Sequence, residues 1–139
     1  MQPQMEKDAI EAYLAEVFPQ VSGYRVESVT DEGARLRLTV AERHLRPGGT
    51  VSGPTMFELA DLAMYAAVLS RIGKVALAVT TGASIDFMRK PAAAADLTAD
   101  CRLLKLGRVL AVGDVLIFSD GAAQPVARAS LTYSIPPKS

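Results

Sequence analysis

A single aspartate, Asp61, interrupts the most apolar stretch of the sequence, residues 56–72. Glu58 and Tyr65 share its face of a helix, because they lie three residues before it and four after it. Burying a carboxylate is unfavourable unless it is hydrogen-bonded, so a carboxylate placed here is a candidate general base or nucleophile. The three residues could equally form the one solvated stripe of the helix, with Glu58 favoured by the helix dipole.

A glycine-rich loop, residues 47–54, leads into this stretch. Pro54 suits the first turn of a helix, and Ser52 or Gly53 can cap it. Free N–H groups at a helix start can bind an anion or a polarised carbonyl oxygen, and glycine lets such a ligand approach the backbone. An ordinary flexible loop that ends in a helix cap would have the same sequence pattern.

The remaining pattern predicts the elements that would hold these two features in place. Apolar spacing predicts a helix over residues 5–18, and near-continuous apolar character predicts a buried helix over residues 56–72. Alternation and turn residues predict six strands, at residues 24–30, 34–41, 75–89, 97–105, 109–118 and 127–134. No helix separates the last four strands, so we expect an antiparallel meander wrapped around one long helix, an α+β fold.

Composition limits the class of protein. The 139 residues predict one domain over 1–139, with residues 1–20 as a helical extension, and 15 basic residues balance 15 acidic ones. That balance argues against nucleic-acid binding. One cysteine, Cys101, and one histidine, His44, argue against a disulfide and against a metal site. No apolar run approaches the roughly 20 residues of a membrane span, so we expect a cytoplasmic protein without a membrane partner.

The motifs together resemble the hotdog-fold acyl-CoA thioesterases of the phenylacetate-degradation type. The resemblance rests on Gly49-Thr50-Val51-Ser52-Gly53 followed by Leu59-Ala60-Asp61, on the run 81–89, on Leu106-Gly107-Arg108-Val109 and on residues 121–133. It covers about residues 22–135. It implies a hotdog fold and hydrolysis of an acyl-CoA thioester, with coenzyme A entering as part of the substrate and no separate cofactor.

The resemblance also assigns roles. Asp61 falls on the catalytic carboxylate, Gly53 on the glycine whose N–H binds the oxyanion, and Thr81 on a position that helps to hold the water or the acid. Tyr65 is a further candidate for that positioning role. Two departures stand out: Ser52-Gly53-Pro54 replaces a His-Gly-Gly triplet, and Arg46 replaces an Asn or Gln that contacts the thioester.

Helix geometry adds a requirement for a second chain. Eight residues at a rise of about 1.5 Å separate Gly53 from Asp61 by about 12 Å, too far for both to act on one carbonyl. Two antiparallel copies of the helix would bring Gly53 of one chain beside Asp61 of the other. We therefore expect a homodimer, and a homotetramer built from two such dimers.

Coenzyme A carries phosphates, for which the sequence offers cations near predicted strand ends. The full set of expected substrate-binding residues is Ser52, Arg46, Tyr65, Glu58, Arg89, Lys90 and Arg108, with Lys105 beside the last. Exposed charges at strand ends that bind no ligand would give the same sequence pattern. Two other functions stay open: a non-catalytic hotdog protein that binds an acyl ligand, and a hotdog hydratase, which normally needs a histidine.

Overall fold

The computed structural model describes residues 4–137. In chain order the elements are α1 (Lys7–Val17), β1 (Tyr24–Val29), β2 (Gly33–Leu38), a 3₁₀-helix (Glu42–His44), α2 (Gly53–Ile72), β3 (Val79–Phe87), β4 (Leu97–Leu106), β5 (Leu110–Ser119) and β6 (Ala127–Ser134). Among these residues, no helix is both long enough and apolar enough to cross a bilayer.

The six strands form one antiparallel sheet in the order β1-β2-β4-β5-β6-β3. The predicted α+β class, with a sheet around one long helix and a short N-terminal helix, is confirmed. The expected meander is present from β4 to β6, but it is wrong for β3, which pairs with β6 at the far edge. Because α2 carries the chain across the sheet before β3 begins, β2 stays free to pair with β4.

Capping and burial together explain α2. The Ser52 Oγ accepts a hydrogen bond from the Thr55 N–H at 3.3 Å, and Gly73 ends the helix with a φ of 84°. The helix packs across β2, β4 and β5. This packing is so close that a Cβ at Gly113 would lie 2.6 Å from the Met64 sulfur. The predicted buried helix is confirmed, with a start three residues earlier.

The two edge strands of the sheet differ in what covers them. α1 packs against β1, where the Glu11 carboxylate accepts a hydrogen bond from the Val26 N–H at 2.9 Å. No described strand pairs with the outer edge of β3. On that strand Phe87 is 52% exposed, although its cross-strand partner Ala127 is buried. Free edges pair readily with further strands, so the outer edge of β3 leaves backbone groups open for pairing.

His44 anchors the loop that leads to α2, and it makes stability depend on pH. Its side chain is buried, and its Nδ1 accepts a hydrogen bond from the Ala41 N–H at 2.8 Å. Burial, and then the charge of Arg43, lower the pKa of His44 in the folded protein. The stability that neutral His44 contributes is therefore present above its unfolded pKa of about 6.5 and is lost as the pH falls through the lower folded value.

We accordingly expect the melting temperature to fall more between about pH 7.5 and pH 5 in the wild type than in His44→Gln, which cannot titrate. Differential scanning fluorimetry of both proteins across this range measures the difference. Equal losses in the two proteins would show that His44 protonation does not limit stability.

Candidate active site

Asp61 lies partly buried on α2, and its carboxylate is held by two hydroxyl groups. The Thr80 Oγ1 donates a hydrogen bond to Asp61 Oδ1. The Tyr133 hydroxyl lies 3.0 Å from the same Oδ1 and 3.0 Å from the backbone carbonyl oxygen of Asp61. Asp61 is thus held by β3 and β6 together, through two residues that pair directly across neighbouring strands. A solvent-exposed stripe on the helix would not require these contacts.

An irregularity in β3 decides which threonine reaches Asp61. Thr80 pairs with Tyr133 and Gly82 pairs with Thr132, so Thr81 is the extra residue between them. The Thr81 hydroxyl is exposed and donates a long hydrogen bond, 3.4 Å, to the Thr132 carbonyl rather than to Asp61. Within one chain the structure therefore brings Thr80, and not Thr81, to the carboxylate. Simple alternation along a strand does not reveal such a bulge.

Tyr65 belongs to an aromatic cluster behind the site. Its ring stacks on Tyr133 at 6.2 Å between centroids, Phe18 packs against it edge-on at 6.0 Å, and its hydroxyl donates to the Ala76 carbonyl at 3.0 Å. Burial raises the pKa of Tyr65 to about 12. Burial, and then the charge of Asp61, raise the pKa of Tyr133 still further. Both phenols consequently stay protonated near neutral pH.

Gly53 is the first residue of α2, where backbone N–H groups have no partner within the helix. A Cβ at this position would lie 3.2 Å from Cζ of Phe87, at the end of β3. Ser52 before it is occupied as the cap: its Oγ donates to Thr55 Oγ1 at 2.9 Å besides accepting from the Thr55 N–H. Gly53 and Asp61 lie on one helix, two turns apart, so one chain does not bring them together.

Two further predicted residues lie away from the carboxylate. Glu58 is exposed and accepts a hydrogen bond from the Tyr24 hydroxyl at 2.6 Å, on the β1 side of the helix. Arg46 is also exposed, in the loop before α2, where its N–H donates to the Thr50 carbonyl at 2.8 Å. Neither side chain contacts Asp61 among the described contacts.

The predicted cations fall at opposite ends of the chain's own sheet. Arg89 and Lys90 follow β3 and line a cavity of about 300 Å³, together with Ser119 and Gln124, and Arg89 donates to the Pro125 carbonyl at 2.9 Å. Lys105 and Arg108 are exposed at the β4–β5 hairpin. That hairpin lies at the Thr80 end of β3, because Leu110 and Val79 both pair with Ser134.

Two residues at the site, Thr80 and Tyr133, were not among the sequence-based candidates. Tyr133 carries one usable signal, since it occupies an inward-facing position of the last predicted strand and bears a hydroxyl that must find a partner there. The identity of that partner depends on which strands flank α2, and this is tertiary information.

A model of the thioesterase superfamily matches residues 48–126, from the glycine-rich loop through β5. A search of curated proteins finds no significant match.

Three solved structures are similar to the chain. A thioesterase candidate from Silicibacter sp. TM1040 is 57% identical with a TM-score of 0.92, over 99% of this chain and 96% of that one. A mutant of the phenylacetic acid degradation protein PaaI from Thermus thermophilus is 25% identical with a TM-score of 0.72, over 90% and 99%. A hypothetical thioesterase from Streptococcus pneumoniae TIGR4, solved with coenzyme A, has the same fold at 21% identity and a TM-score of 0.75, over 94% and 97%. Because the family model matches more than half of the chain and the 57% identical relative spans nearly all of it, the chain belongs to the thioesterase superfamily and has its hotdog fold.

Proposed function

We propose that the protein hydrolyses acyl-CoA thioesters and that Asp61 either activates the water or attacks the thioester itself. The observation that carries this proposal is the Asp61 carboxylate, partly buried in an apolar helix with Oδ1 held by Thr80 and Tyr133. Within residues 4–137 no hydrogen bond engages Oδ2, so this oxygen is available for chemistry. A carboxylate held at one oxygen and open at the other suits both routes of hydrolysis.

In the general-base route, Asp61 Oδ2 takes a proton from water as the water oxygen attacks the thioester carbonyl carbon. A backbone N–H stabilises the negative charge that forms on the carbonyl oxygen. The carbon–sulfur bond then breaks, and the proton on Asp61 passes to the thiolate, which leaves a carboxylic acid and free coenzyme A. In the nucleophilic route, Oδ2 attacks the carbon, the thiolate leaves, and water hydrolyses the mixed anhydride.

The oxyanion donor in this proposal is the backbone N–H of Gly53 of the partner subunit. Within a chain, β3 links the two halves of the site: Thr80 contacts Asp61 at one end, and Phe87 lies against Gly53 at the other. If the open edge of β3 pairs antiparallel with its own copy about a two-fold axis near the strand centre, each Thr80 end lies opposite the partner's Phe87 end. This pairing would bring Asp61 and the partner's Gly53 to one place, twice per dimer.

The same pairing would gather the predicted cations. The partner's Arg89 and the partner's Lys90 would lie at the Thr80 end of β3, where Lys105 and Arg108 of the first chain are exposed. Four cations near one site entrance suit the phosphates of coenzyme A. The Streptococcus pneumoniae relative solved with coenzyme A adds support for this ligand class.

A second candidate function is binding of an acyl-CoA without turnover. The observation in its favour concerns Ser52, which stands where the thioesterases that the sequence resembles have histidine. The Ser52 side chain is occupied as the helix cap. Its hydroxyl therefore cannot orient a substrate in the way that a free side chain would.

Release of free thiol from short-chain, medium-chain and aryl acyl-CoAs by the purified protein tests the first function against the second. Turnover supports hydrolysis, and the CoA thioesters should be preferred over N-acetylcysteamine thioesters of the same acids, which lack the phosphates. Saturable binding of acyl-CoAs without thiol release from any of them would favour the second function and contradict the first.

A further inference from the structure

We propose that Tyr133 is a positioning residue for Asp61, and that its hydroxyl selects which carboxylate oxygen reacts. This inference rests on the proposed function, because that function makes the Asp61 carboxylate the reacting group. It goes beyond that function because neither the family resemblance nor the sequence-based assignments give Tyr133 a role in the site.

The geometry of the Tyr133 hydroxyl carries the inference. One proton is shared between the backbone carbonyl oxygen and the side-chain Oδ1 of Asp61, each 3.0 Å away. A single donor that binds both the main chain and the side chain of one residue restrains the rotation between them. With the Thr80 hydroxyl on the same Oδ1, two donors occupy one carboxylate oxygen and leave Oδ2 for water or the thioester carbon.

The phenol is itself held rigidly, as a positioning group must be. Tyr133 is 3% exposed on the inward face of β6, and its ring stacks on Tyr65. Tyr65 is tied in turn by its hydroxyl to the Ala76 carbonyl and by its ring to Phe18, which follows α1. The Asp61 carboxylate therefore rests against a fixed aromatic cluster that extends back to the N-terminal helix.

Packing alone does not require the Tyr133 hydroxyl, because phenylalanine would fill the same ring volume. A buried hydroxyl needs a partner, so a purely structural account would make Asp61 the acceptor that satisfies Tyr133. The two accounts differ in what the loss of the hydroxyl changes: stability alone, or the reactivity of Asp61 as well.

Tyr133→Phe in the full-length protein distinguishes them, with Ser70→Ala as the control that removes another buried hydroxyl of the core, one that donates to the Ala67 carbonyl and does not contact Asp61. We expect Tyr133→Phe to lower kcat by about tenfold or more while KM changes by less than about threefold. Ser70→Ala should lower the melting temperature and leave both kcat and KM close to the wild-type values.

The outcomes keep the two proposals apart. A wild type without thioesterase activity would refute the proposed function and, with it, the role of Tyr133. In an active protein, an unchanged kcat in Tyr133→Phe, or a rise in KM with kcat unchanged, would refute the role of Tyr133 alone.

Discussion

Asp61→Asn is expected to lower kcat for thioester hydrolysis by about 10²–10⁴-fold, the usual range for loss of a positioned general base. Asparagine has the shape of aspartate and keeps an oxygen that can accept from Thr80 and Tyr133, so the site should stay assembled. What is lost is the negative charge and the capacity to take a proton or to attack carbon. Initial rates of thiol release under saturating acyl-CoA measure the effect.

Asp114→Asn is the matched control for this substitution. Asp114 is an exposed carboxylate on β5 that accepts a hydrogen bond from the Ser130 hydroxyl at 3.1 Å, on the sheet face away from α2. The Asp114→Asn substitution removes one negative charge, as Asp61→Asn does, and should leave kcat close to the wild-type value. Full activity in a folded Asp61→Asn variant would show that another residue activates the water.

Gly53→Pro should lower kcat by about 10²–10³-fold, because it deletes one backbone N–H at the start of α2 and with it the oxyanion donor. Proline is tolerated in the first turn of a helix, where this N–H has no partner inside the helix. Because Pro54 already follows and a Pro-Pro step favours extended backbone at residue 53, we expect α2 to form from Thr55 onward. Circular dichroism checks the fold, and kcat measured with the best acyl-CoA checks the chemistry.

Gly53→Ala separates the missing N–H from the added bulk. Both variants add a Cβ that would lie about 3.2 Å from Cζ of Phe87. Only alanine retains the backbone N–H of residue 53. Phe87 is half exposed and can shift, so Gly53→Ala should keep a much larger share of activity than Gly53→Pro. Equal losses in the two variants would attribute the effect to crowding rather than to the oxyanion donor.

The sequence was most informative where a pattern is local. Continuous apolar character identifies α2, and the Ser52-Gly53-Pro54 cap locates its start to within a few residues. Strand alternation likewise identifies β6 from Ala127 to Ser134. Each of these signals depends only on residues that are close in the chain, so the sequence alone is enough to locate the element.

The sequence was least informative where a contact depends on strands that are distant in the chain. Because β3 lies beside β6, with a bulge at Thr81, Thr80 and Tyr133 are paired and both contact Asp61 Oδ1. No spacing rule reports a bulge or the order of strands in a sheet. The shared roles of Gly53 and Asp61 stay predictions, because they concern a second chain.

The site shared between two chains is the central claim, and mixed dimers test it most directly. Asp61→Asn and Gly53→Pro chains carrying different affinity tags are co-expressed, and dimers containing one of each are isolated by both tags. If Asp61 works with Gly53 of the partner subunit, one of the two sites in each mixed dimer is intact, and about half of the wild-type activity per dimer should return. Mixed dimers as inactive as the two parent variants would contradict the claim, since each chain would then need both residues for itself.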